Sequence, residues 1–99
     1  MTKNEIISVF GEDNDEFLRT ENIKPERLLH RRPDINAFLL LDKLCPGDRD
    51  IICSAEHDEF WLDVGPVDMQ PAATREDVLD LIRCGVRLDR NTETLVMFV

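Results

Sequence analysis

Basic residues are scarce in this chain: 12 Lys and Arg stand against 21 Asp and Glu, for a formal net charge of -9. Phosphate contacts need clustered Lys and Arg, so the balance argues against direct nucleic-acid binding. Long apolar runs are missing as well. No stretch approaches the ~20 continuous apolar residues of a membrane span, and Met1-Thr2-Lys3-Asn4-Glu5 leads into only a brief apolar run, which predicts neither a signal peptide nor a membrane anchor.

Cysteine is limited to Cys45, Cys53 and Cys84. An odd number at wide spacing disfavours a closed disulfide framework and predicts a reducing, cytoplasmic setting with all three as packing residues. Glycine is limited to Gly11, Gly47, Gly65 and Gly85, each isolated beside a predicted element end, so no phosphate-cradling loop is present. Neither a repeat period nor a low-complexity linker divides the chain.

What remains is the balance of a soluble globular protein: 99 residues, 42% hydrophobic and 33% charged, suited to one domain over 1–99. Its first 22 residues form an acidic, partly helical segment. Thr2 and Glu5 have capping-box spacing, Ile6, Ile7, Val9 and Phe10 follow, and Gly11 supplies a stop. The acidic run from Glu12 to Glu16 then reads as a loop or solvated turn with Phe17 and Leu18 as anchors. Pro25 predicts a helix carrying Leu28 and Leu29 that breaks at His30 to Arg32, because Pro33 disfavours helical geometry at the residue before it.

A second helix starts at Pro33 and runs to Leu44. Ile35 and Leu39 lie on one side of it, Ala37, Leu40 and Leu44 nearly opposite, and Phe38 and Leu41 between them. An all-round apolar helix predicts cover on more than one side, by a sheet plus another helix or a second subunit. Ile51–Ala55 and Phe60–Val64 read as a hairpin turning over Glu56-His57-Asp58-Glu59. Thr74 and Asp77 form a second capping box for a helix whose apolar arc holds Val78, Leu79, Leu81 and Ile82, with Asp80 and Arg83 opposite and Gly85 as the cap. Val86–Asp89 and Thr94–Val99 form a second hairpin. Its last strand is apolar on both faces, which places it in a sheet interior or under a partner. The expected fold is α+β: one small domain with an antiparallel sheet from two hairpins in ββαββ order, packed against N-terminal helices. The apolar helix and final strand also predict a homodimer.

Charge is unevenly spread. Between Arg49 and Arg75 there is no Lys or Arg, while Asp50, Glu56, Asp58, Glu59, Asp63 and Asp68 are all acidic. Just upstream, Lys24, Arg27, Arg31 and Arg32 gather with His30 into a candidate basic site. Either the two groups neutralise each other, with Arg31 or Arg32 meeting Asp34 or the hairpin acids, or they form two distinct surfaces. Glu59, Trp61 and Asp63 share a strand face, so Trp61 either anchors a binding surface or packs under a helix.

The expected function is that of a non-catalytic protein-binding module or inhibitor. It would present Glu56, Asp58, Glu59, Trp61 and Asp63 to a protein with a basic surface, in its sharpest form by mimicking phosphate to a nucleic-acid-binding partner. No catalytic residue, cofactor or metal is assigned. The competing reading is a small metal-dependent hydrolase using His57, Asp58, Glu59 and Asp63, whose nitrogen and carboxylates suit divalent cations but lack the HExxH or paired CxxC spacing of established sites. Asp13 and Asp15 lack the glycine and distal Glu of a calcium loop. A zinc site from the three cysteines and His57 suffers from its long gaps, and nothing selects a Cys–His nucleophilic pair. A structural subunit of a homo-oligomer, acidic for solubility, is the remaining alternative.

Overall fold

Local sequence signals account for most of the helix boundaries in a computed structural model of the chain, which describes residues 1–11 and 15–99. The first helix, α1 (Lys3–Gly11), opens on the Thr2–Glu5 box: Thr2 N donates to Glu5 Oε1 at 2.8 Å and Glu5 N to Thr2 Oγ1 at 3.1 Å. Pro33 occupies the first turn of α2 (Pro33–Leu44). A short helix α3 (Pro66–Met69) precedes α4 (Arg75–Arg83), which Thr74 caps by accepting from Asp77 N while donating its own N–H to Asp77 Oδ2. Gly85 follows at φ +94°, a left-handed conformation natural to glycine after a helix end.

The strands β1 (Ile52–Glu56), β2 (Glu59–Leu62), β3 (Val86–Asp89) and β4 (Thr94–Phe98) form one antiparallel sheet in the order β1-β2-β4-β3. Each hairpin contributes its second strand to the centre. That arrangement answers the two-faced sequence of β4, which lies between β2 and β3 with Leu95, Val96 and Met97 buried. The α+β domain and the antiparallel sheet of two hairpins are as expected; two helices, α3 and α4, lie between the hairpins.

The helices cover one face of the sheet. Leu62, Val86, Leu95 and Met97 join Ile6, Val9, Leu41, Val78 and Leu81 in a single core. Val96 points to the other face and lies outside that cluster, although it is only 1% exposed.

The structure and the sequence expectations differ at three places. The helix from Pro25 is a single 3-10 turn, Pro25–Arg27. Asn36, buried at the start of α2, takes the amides that would extend it: its Oδ1 accepts from Leu29 N at 2.7 Å and His30 N at 2.9 Å. Leu28 and Leu29 are left exposed. Second, α2 is not covered all round within the single chain, where Leu39 is 44% exposed while Leu41 is fully buried. Third, Asp80 and Arg83 do not face solvent. Asp80 is 2% exposed, and both lie beneath the segment that precedes α2.

Candidate functional site

The hairpin acids that the sequence groups together are separated by the fold. At the tip, His57 takes φ +56° in the two-residue turn, and Glu56 stands directly opposite Glu59. Like charges in that position repel. The repulsion is relieved from the neighbouring hairpin, where Arg87 Nη2 meets Glu59 Oε2 at 2.6 Å. Among the described residues Glu56 has only His57 Nε2 within reach, at 3.4 Å, and both side chains are largely exposed.

Glu59 and Trp61 point to the helix-free face. Trp61 and Arg87 flank Val96 in register, one on each side. Trp61 Nε1 crosses β4 to donate to Asp89 Oδ2 at 2.9 Å, and the Arg87 guanidinium sits 3.8 Å from the centroid of the Phe98 ring. Two cross-sheet links thus roof over Val96, which explains its burial on a face with no helix. The Asp89 carboxyl is held below its usual range, chiefly by the Trp61 bond and next by the Asn91 amide. Trp61 is therefore neither a free anchor nor packed under a helix. It is half-buried and already hydrogen-bonded within the sheet.

Trp61→Phe keeps most of the ring but removes this bond, and is expected to cost about 1 kcal/mol in denaturant unfolding. An unchanged midpoint would show that the bond contributes nothing.

Asp63 leaves this face. It pairs with Arg49 at 2.7 Å and lines an open cleft of about 450 Å³ with Asp42, Asp48, Asp50 and Asp68. Of these carboxylates, the basic-free interval already signals Asp50 and Asp68; Asp42 and Asp48 have no such signature and were missed. Cys45 also borders the cleft. Burial raises its thiol pKa, and its Sγ lies 3.3 Å from the Asp68 carbonyl, so it has the character of a neutral packing group.

The basic cluster divides as well. Arg27 turns toward α4, meeting Asp77 at 2.7 Å and Asp80 at 2.8 Å. Asp80 also receives Arg83 at 2.8 Å, and Arg83 further contacts Glu16 at 2.6 Å and Glu76 at 3.1 Å. These hydrogen bonds outweigh desolvation and push the Arg83 guanidinium pKa upward. Lys24, Arg31 and Arg32 stay exposed, and neither Arg31 nor Arg32 forms an ion pair among the described residues. The hairpin acids and the basic segment thus do not neutralise each other. Where their members are paired the partner lies elsewhere: Arg49 for Asp63, Arg87 for Glu59, and α4 for Arg27.

His57, Asp58, Glu59 and Asp63 do not converge, since His57 projects from the exposed tip while Glu59 and Asp63 pair with different arginines. Among the described residues, no group of three His, Cys, Asp or Glu side chains is placed to hold an ion. The cysteines are dispersed: Cys84 is in the core, accepting from Asn36 Nδ2 at 3.2 Å, with its pKa raised by burial; Cys45 is half-buried; Cys53 is exposed on β1. Cys53 thus departs from the expected packing role. Asp13, of the acidic pair, lies outside the described residues.

Among those residues no helix is long and apolar enough to cross a membrane. Comparison with protein-family models, curated proteins and solved structures finds no match.

The outer edge of the first hairpin is formed by β1, at one end of the sheet. All five residues of β1 are exposed. Asp50, Glu56 and Asp58 surround it, and among the described residues none has a Lys or Arg within ion-pair distance.

Proposed function

We propose that the protein is a non-catalytic binding module that engages a protein partner of basic surface through its first hairpin. The observation that carries this reading is the conjunction at β1 of a fully exposed edge strand with three acidic side chains that no Lys or Arg among the described residues reaches. Intramolecular arginines occupy Glu59 and Asp63, so the binding charge shifts from the Trp61 face to the edge and tip. Unanswered surface carboxylates steer a basic partner and set the salt dependence of its association.

The test is capture of proteins from the native cell on immobilised wild-type protein and on a Glu56→Lys/Asp58→Lys variant, each washed over a salt series. A partner retained by the wild type, released as salt rises and lost on charge reversal is the expected result. Equal retention by both forms, or retention insensitive to salt, overturns the reading.

A further inference from the structure

At β1 the open edge has two chemically different sides. Among the described residues its ladder neighbour is β2 alone, so alternate backbone N–H and C=O groups point outward. A bulge between Ile52 and Ser54 confines the regular edge to Ser54–Glu56. On the helix side, Ala55 stands opposite Phe60, whose ring lies 6.3 Å from that of Phe38 on α2. Phe38, Ile51 and Ile52 line an open groove of about 430 Å³ there, and Asp50 closes its rim. On the other side, Ser54 and Glu56 share the face of Trp61 and Glu59. Asp58 lies beyond one end of the strand.

We propose that β1 accepts an extended segment of a partner protein in which apolar and basic residues alternate. Strand addition satisfies the outward backbone groups. Because side chains alternate across a strand, one set of the incoming residues lies over Phe38 and Ile52 while the other meets Glu56. Asp50 and Asp58 bracket the ends and favour Lys or Arg there too.

Charge selects this occupant over a second copy of the chain. Antiparallel self-pairing about Ser54 sets Asp58 of one copy against Asp50 of the other, and each chain carries a net charge of -9. The inference rests on the binding-module reading and adds to it the conformation and pattern of the ligand.

A short fluorescent peptide of alternating Lys and Val tests it, beside an isomer with the same residues in two blocks and a version with Ser for Lys. Anisotropy titration is combined with amide chemical-shift mapping. The alternating peptide is expected to shift the amides of Ser54–Glu56 and to bind about tenfold tighter than either control, as two or three cross-strand charge contacts allow. Asp50→Asn/Glu56→Gln/Asp58→Asn, which changes only exposed side chains, is expected to erase that advantage.

Equal binding of the block isomer, or shifts confined to Trp61 and Arg87 or to the Asp42 cleft, overturns strand addition. Equal binding of the Ser version overturns the basic specification. Absence of binding overturns the inference as a whole, while the charge-reversal capture decides independently whether the module reading stands.

Discussion

Asp80→Ala is expected to lower folding stability by about 3 kcal/mol, the low end of what removing one partner from a buried ion pair costs. Asp80 is 2% exposed and, among the described residues, is the one carboxylate that touches both Arg27 and Arg83. Its loss leaves Arg83 inside with Glu16 and Glu76, and Arg27 with Asp77, which is why the low end applies. For a domain of this size the corresponding fall in Tm is roughly 15 °C. Urea unfolding measures it, and a cost below about 1 kcal/mol would show that the network is no more than a surface array. The same variant is expected to be cleaved faster by trypsin after Arg27, because Arg27 ties that segment to α4.

Acidification probes the network from the other side. Glu16 is held below its usual carboxyl pKa of 4.5, first by the hydrogen bond from Arg83 and then by that from Asn22. A carboxyl whose folded-state pKa is depressed stabilises the fold above its unfolded value, and the contribution is lost as pH falls through the folded value. Glu5 and Asp89 are shifted in the same direction. Stability is therefore expected to decline below about pH 4.5, with Glu16→Gln reducing the slope.

The second large effect separates two leucines of one helix. Leu41→Ala is expected to cost about 2 to 5 kcal/mol by opening a cavity at a fully buried position. Leu39→Ala, two residues away and 44% exposed, is expected to change stability by no more than about 0.5 kcal/mol. Thermal unfolding across a wide concentration range measures both. A concentration-dependent Tm with a large Leu39 effect would show that a second subunit covers α2, as the homodimer expectation requires.

This pair also marks how far the sequence could be read. The boundaries of α1, α2 and α4 were legible because Thr2–Glu5, Pro33 and Thr74–Asp77 act on amides within a few residues. The central place of β4 was legible because alternating apolar residues on both faces need cover on both. The covered side of α2 was not: Leu39 and Leu41 are equivalent in composition, and only the position of α4 and the sheet distinguishes them. Nor was the fate of the segment after Pro25, where Asn36 captures amides from six and seven residues away.

The candidate site divides along the same line. An acidic hairpin free of Lys and Arg, with an aromatic on one face, follows from sequence alone, because strand alternation and local charge are local properties. Which acids remain available was decided by tertiary structure. Arg87 reaches Glu59 from 28 residues away, Arg49 takes Asp63, and Arg27 crosses 53 residues to Asp80. Ion pairing between distant segments has no period along the chain and is set by where the backbone brings side chains together. It was this pairing that removed Glu59 and Asp63 from the exposed surface charge and left Asp50, Glu56 and Asp58 around an open strand.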